Sequence, residues 1–92
     1  MQVLANAITA DGNYPSTDGV YPLKNDNVCL MSGTFAGATV KLQVTLDGTI
    51  WIDVPSSSAT TNATFRVQLS QEAKVRANVA GAGAASITVA LA

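Results

Sequence analysis

The sequence predicts an all-β protein, a small antiparallel β-sandwich of the immunoglobulin-like or jelly-roll-like kind with an extended N-terminal arm. Apolar and polar residues alternate with period two over short stretches that are rich in β-branched residues. Clusters of Gly, Ser, Asn and Asp separate these stretches at close spacing. No stretch keeps the 3.6-residue apolar period of a helix. The 92 residues fit a single domain with a thin core, because fifteen of them are alanines.

Residues 1–26 are predicted to form the extended arm. Each residue before a proline is forced toward an extended conformation, and each Asp-Gly dipeptide marks a turn. The steps concerned are Tyr14-Pro15 and Tyr21-Pro22, and the turns are Asp11-Gly12 and Asp18-Gly19. The apolar stretches 3–8 and 20–23 could each add an edge strand. The sequence leaves open whether they add it to their own sandwich or to a neighbour's.

Residues 27–92 are predicted to form the sandwich domain from six strands. In four of these strands, apolar residues alternate with polar or small ones. One face of each strand is therefore expected to pack in the core, and the other face is expected to contact solvent. The clearest is the stretch from Val40 to Thr45, where Val, Leu and Val alternate with Lys, Gln and Thr. The six predicted strands are 27–33, 38–45, 49–54, 63–69, 73–80 and 85–91.

The stretch 40–54 predicts a hairpin whose register follows from parity. A two-residue loop at Asp47-Gly48 would place Asp53 opposite the core residue Leu42 on the same face. A three-residue loop, with Gly48 in the left-handed region, gathers the aliphatic residues on one face and brings opposite charges together on the other. The predicted pairs are Val40–Val54, Leu42–Ile52, Val44–Ile50, Lys41–Asp53 and Gln43–Trp51. Trp51 is therefore expected on the face away from the aliphatic core.

Composition argues against most kinds of chemistry. The chain has no histidine and one cysteine, which removes the commonest general base and the usual zinc ligands. Its five cations are scattered and its net charge is −1, so no basic stripe is available for nucleic acid. No segment is long and apolar enough to span a membrane. We therefore expect no enzyme, no catalytic residue, no cofactor and no metal. A calcium site at Asp11, Asn13 and Asp18 is conceivable, but the loop lacks the ligand order of an EF-hand.

Five residues are predicted to contact a partner because aromatic and arginine side chains dominate binding energies at interfaces. Trp51 is the first of them, either as a stacking platform for sugar or as an anchor for a protein. A competing interpretation is that the chain's own arm or a loop covers Trp51. The predicted contact residues are Trp51, Tyr14, Tyr21, Arg66 and Arg76.

Three segments carry a resemblance to a known class of proteins. They are residues 32–44 (SGTFAGATVKLQV), 46–54 (LDGTIWIDV) and 73–77 (AKVRA). Together this pattern resembles the small β-sandwich structural proteins of tailed bacteriophages, which occur as capsid decoration (cement) proteins or as parts of tails and fibres. The resemblance covers residues 32–91 and leaves the N-terminal arm unmatched.

The resemblance implies a virion structural protein, made in the host cytoplasm and bound to the major capsid protein or other virion proteins as a homo-oligomer or lattice. A decoration protein that bridges capsid subunits is the leading expectation. A head–tail or tail component is the alternative within the same class. From a different class, a small carbohydrate-binding module would use Trp51 with Tyr14 or Tyr21 as stacking platforms.

Overall fold

A computed structural model describes residues 1–16 and 19–92 of the chain. The described residues form two antiparallel sheets of four strands each and no helix, which confirms the predicted β-sandwich. The strands are β1 (Gln2–Ile8), β2 (Gly12–Tyr14), β3 (Asp26–Thr34), β4 (Thr39–Thr45), β5 (Ile52–Asp53), β6 (Ala63–Gln68), β7 (Lys74–Ala80) and β8 (Ser86–Leu91). The first sheet has the order β1-β8-β3-β6, and the second has the order β2-β7-β4-β5. No helix among these residues is long and apolar enough to cross a membrane.

The core lies between the two sheets and is built by alternate residues of the strands. In β3, for example, Cys29 and Met31 are buried whereas Val28 and Leu30 face outward. Each large side chain taken fully out of water contributes about 1.5–3 kcal/mol. The largest fully buried side chains are Met31, Leu42, Ile87, Leu91, Val40, Val75, Val79 and Val89.

Residues 1–14 and Val20 lie along one side of their own sandwich. β1 pairs antiparallel with β8 at the edge of the first sheet, and β2 pairs with β7 at the edge of the second. Val20 forms a further antiparallel bridge to Val75. Leu4 and Ala5 belong to the buried core. The edge strand predicted at 3–8 is therefore present and packs in cis in this structure. Asp18, the first residue of the predicted Asp18-Gly19 turn and the conceivable calcium ligand, lies outside the described residues.

The hairpin at 40–54 forms, but its predicted register is wrong by two residues. Val44 pairs with Ile52 instead of Ile50, and strand β5 is only two residues long. The loop is longer than predicted because Asp47 Oδ1 accepts hydrogen bonds from the backbone N–H groups of Thr49 and Ile50. These bonds hold the chain in a turn where the alternation pattern alone predicts strand.

Two features of the predicted hairpin survive this shift. Gly48 has φ +81°, the left-handed conformation predicted for it. A shift of two residues also preserves the face of every side chain, because strand side chains alternate with period two. Lys41 Nζ therefore still reaches Asp53 Oδ2, at 3.0 Å, although the two residues are no longer directly opposite.

Candidate protein-contact surface

A cleft opens between the sheets on the side opposite β1 and β2. The second sheet contributes Val44, Ile52 and Val54 to its wall, and the first contributes Leu69, with Ala73 from the segment that leads into β7. Its volume is about 350 Å³. The cleft exists because β5 is only two residues long and because no further strand closes this side of the sandwich in the described part of the chain. Its apolar lining can take an apolar side chain from another molecule.

Three aliphatic side chains next to this cleft lie in solvent. Leu46 is 85% exposed, Ile50 is 65% exposed and Ile52 is 62% exposed. The three line one shallow depression together with Asp47. The predicted pairing of Ile50 and Ile52 with core residues does not bury them, because Ile50 lies in the turn before β5 and Ile52 lies in a strand of only two residues. We name this group, Leu46, Ile50 and Ile52, the apolar rim.

The turn that carries the apolar rim is held by a single carboxylate. Asp47 Oδ1 accepts from Ile50 N at 2.9 Å, from Thr49 N at 2.8 Å and from the Thr45 hydroxyl at 3.1 Å. The Thr45 hydroxyl accepts in turn from Gly48 N at 3.0 Å. These bonds favour the ionised carboxylate and hold the pKa of Asp47 below its ordinary value. The rim is therefore presented on an ordered turn.

Trp51 lies on the outer face of the second sheet, the face away from the core that parity predicts. The guanidinium carbon of Arg76 is 3.9 Å from the centroid of the indole ring. Arg76 Nε donates to Gln43 Oε1 at 2.9 Å, which fixes the guanidinium over the ring. The backbone of Gly19 is so close that a Cβ there would lie 2.8 Å from Cη2 of Trp51. Trp51 is thus half-buried by groups of its own chain, Gly19 of the N-terminal segment and Arg76 of β7. This agrees with the interpretation that the chain itself covers Trp51.

The surroundings of Trp51 on this face are polar and internally paired. Asp53 Oδ1 accepts from Gln43 Nε2 at 2.9 Å, and Asp53 Oδ2 accepts from Lys41 Nζ at 3.0 Å. The bond from Gln43, followed by that from Lys41, lowers the pKa of Asp53. Loss of solvation lowers the pKa of Arg76. The described charged side chains on this face are therefore engaged with one another, and among the described residues no unpaired carboxylate lies next to Trp51.

The other predicted contact residues lie in three separate places. Tyr14 is half-buried in β2, packs against the core and donates its hydroxyl to Ala10 O at 2.7 Å. Tyr21 is exposed and shares a depression with Leu46, with Lys74 Nζ 5.6 Å from its ring centroid. Arg66 lies on the outer face of the first sheet. The structure therefore brings together Trp51 and Arg76, and places Tyr21 beside the apolar rim.

Sequence reasoning missed the apolar rim itself. Its signal is present in the sequence as three aliphatic residues that closely surround an Asp-Gly turn, at Leu46, Ile50 and Ile52. Period-two alternation assigns Ile50 and Ile52 to the core face. The alternation shows only which side chains share a face and does not show whether another strand covers that face. Only the positions of the other strands show that nothing covers them.

The nucleophile and the acidic groups do not assemble into a reactive site in the described part of the chain. Cys29 is fully buried, and desolvation raises the pKa of its thiol to about 12, so the reactive thiolate is scarce at neutral pH. Among residues 1–16 and 19–92, no group of three His, Cys, Asp or Glu side chains is placed to hold a metal ion. The surface with the clearest capacity for binding is the apolar cleft with its rim.

The chain matches no known family model, and comparisons with curated proteins and with solved structures gave no significant match.

Proposed function

We propose that this chain is a structural protein of a tailed-phage virion, a capsid decoration protein whose apolar rim and cleft bind the major capsid protein. The observation that carries the proposal is the exposure of Leu46, Ile50 and Ile52 beside an apolar cleft. Single exposed aliphatic residues are ordinary on protein surfaces, whereas a cluster at the mouth of a cleft is typical of an interaction site.

The rest of the molecule suits such a role. Only 12% of the residues are charged, so much of the surface is small and polar and can pack closely against another protein. A 92-residue chain buries a modest core, and a partner that binds only the folded form would stabilise it by mass action. The resemblance of segments 32–44, 46–54 and 73–77 to phage sandwich proteins supplies the class of partner.

Two alternatives remain as proposals of lower rank. A tail or head–tail component would use the same surface and would differ in copy number. A carbohydrate-binding module needs an open aromatic platform, and the guanidinium of Arg76 already occupies one face of the Trp51 ring. The polar groups near the ring, on Gln43 and Asp53, are also bonded to each other. The geometry therefore favours a protein partner over a sugar.

The first experiment measures where the chain is found and in what amount. Virions purified from a lysate of a strain that carries the gene are analysed by quantitative mass spectrometry. We expect the chain in a molar amount comparable to that of the major capsid protein. A far smaller amount would indicate a tail component, and absence from the particles would contradict the proposal.

The second experiment tests the surface. Particles made without the gene are mixed with purified protein, and the bound amount is measured after sedimentation. The variant Leu46→Ser/Ile50→Ser/Ile52→Ser is expected to lose binding because the apolar contact is removed. The matched control Val28→Ser/Leu30→Ser replaces exposed aliphatic residues on the outer face of the first sheet and should bind normally. Normal binding by the rim variant would contradict the assignment of this surface.

A further inference from the structure

The four edge strands of the sandwich differ in how well they are protected against pairing with another strand. β1 carries two register shifts and the left-handed residue Ala7 (φ +50°), β2 has three residues and is followed by Pro15, and β5 has two residues with Pro55 shortly after it. Bulges, short length and proline are the usual devices that prevent edge-to-edge association. β6 has none of them. Its six residues pair with β3 in an unbroken register and contain neither Gly nor Pro.

The free backbone groups of β6 can be assigned from its register. Leu69 N donates to Asn25 O at 2.8 Å, in line with the pairing of β6 with β3. Because hydrogen-bonded and non-hydrogen-bonded pairs alternate in an antiparallel ladder, the odd-numbered residues of β6 bond to β3. The N–H and C=O groups of Thr64, Arg66 and Gln68 therefore point away from the sheet. Such a row of donors and acceptors is complementary to an extended chain.

The side chains of β6 are compatible with an identical neighbour. Val67 is buried and Phe65 is only half-buried on the core side, so part of the Phe65 ring is still in contact with solvent. On the outer face, Arg66 is the one charged residue of the strand, and its Nε lies 3.2 Å from Asp26 Oδ1 in a solvent-exposed ion pair. A second copy that is placed so that Arg66 does not face Arg66 therefore meets no like charge along this edge.

We propose that β6 pairs antiparallel with β6 of a second copy around a two-fold axis at Phe65, which joins the two first sheets into one eight-stranded sheet. Antiparallel pairing of identical edges is self-complementary, as a two-fold interface requires. This interface contains none of the residues of the apolar rim, although Gln68 of β6 also lines the cleft, and it does not depend on the proposed virion role.

The position of the axis follows from the side chains. An axis at Arg66 would place the two Arg66 side chains directly opposite each other, and like charges in that position are destabilising. An axis at Phe65 pairs Thr64 with Arg66 of the second copy. It also places the two Phe65 rings opposite each other at a non-hydrogen-bonded position, where side chains approach most closely.

Sedimentation velocity over a range of protein concentrations tests the association. We expect a concentration-dependent dimer for the unaltered chain and a folded monomer for Thr64→Pro, because proline removes an outward N–H and is tolerated on a free edge. The control Thr64→Ala keeps the N–H and should still form the dimer. Circular dichroism checks that both variants remain folded. A chain that stays monomeric at the highest concentration would overturn the proposal, as would a Thr64→Pro variant that is folded and still dimeric.

Disulfide trapping tests the register independently of any loss of stability. Directly opposite residues of a hydrogen-bonded antiparallel pair have Cα atoms about 5.5 Å apart, within the range of a disulfide. Thr64→Cys/Arg66→Cys should therefore oxidise to a covalent dimer, whereas Arg66→Cys alone should not. The buried Cys29 does not interfere, and Ser32→Cys on the same outer face serves as the control for random oxidation. A covalent dimer of Arg66→Cys alone, or equal yields from all three variants, would overturn the pairing at Phe65.

Discussion

The two sides of the sandwich use aliphatic residues of the same kind with opposite results. On the side of β1 and β2, Leu4 is buried, with 4% of its surface exposed. On the side of β5 and β6, Leu46 is 85% exposed and Ile52 is 62% exposed. The difference arises from packing, because Leu4 lies in the core cluster between the sheets, whereas Leu46 lies in the turn after β4 and Ile52 lies in the two-residue strand β5. Burial is therefore a property of the assembly of strands and not of the residue type.

The closed side is also the irregular side. β1 is interrupted by two register shifts, whereas β6 runs without interruption. An edge that has completed its packing gains from irregularity, because bulges prevent further strands from pairing with it. A regular edge beside an apolar cleft keeps the capacity to bind. Among the described strands, the side of β1 and β2 is therefore protected against further pairing, whereas the side of β5 and β6 keeps a regular edge and an apolar cleft.

The largest expected effect compares a glycine where β3 and β8 approach closely with a glycine in the turn on the open side. A Cβ at Gly33 would overlap the carbonyl oxygen of Ser86, so that β3 and β8 would have to move apart. A Cβ at Gly48 meets nothing within 4 Å, and Gly48→Ala has only the strain of the left-handed backbone, about 1–2 kcal/mol. We expect Gly33→Ala to lose several times more stability than Gly48→Ala in urea unfolding. Similar losses would show that the strands adapt freely at Gly33.

A smaller effect on the free energy of unfolding is expected when one leucine on each side is shortened to alanine. Leu4→Ala should reduce the free energy of unfolding by about 2–5 kcal/mol, because it removes a buried side chain and leaves a cavity. Leu46→Ala should change it by less than about 0.5 kcal/mol, because the side chain is already in water. Urea unfolding of the isolated chain measures both. Equal effects would mean that the N-terminal segment does not pack as described.

The smallest effect concerns the pH dependence of the turn that presents the apolar rim. The folded state lowers the pKa of Asp47 from its ordinary value of 3.8, so the stabilisation is complete above that value and is lost as the pH falls through the lower folded-state pKa. Thermal unfolding at pH values from neutral to strongly acidic should show a stability advantage over Asp47→Asn that narrows in this acidic range. An advantage that stays constant down to the lowest pH would contradict the role of the ionised carboxylate.

The hairpin shows how far the sequence can predict the candidate site. The outward position of Trp51 follows from parity, and it survives a register error because the error is two residues and parity is preserved. The register itself could not be predicted, since it depends on three hydrogen bonds to one oxygen of Asp47 that extend the loop. The stacking of Arg76 on Trp51 depends on strand order, which places β7 beside β4.

The sequence by itself determined the all-β class, the approximate positions of most strands and the face on which most strand side chains lie, with exceptions such as Thr45 and Ala90, which were predicted on the outer face and are buried. These properties are local, because alternation with period two is written into consecutive residues. Only the tertiary structure decided that β1 and β2 complete one side of the sandwich, and that Ile50 and Ile52 remain in solvent while Leu4 is buried. Burial requires a second surface at the right distance, and the pairing of strands far apart in the chain supplies or withholds that surface.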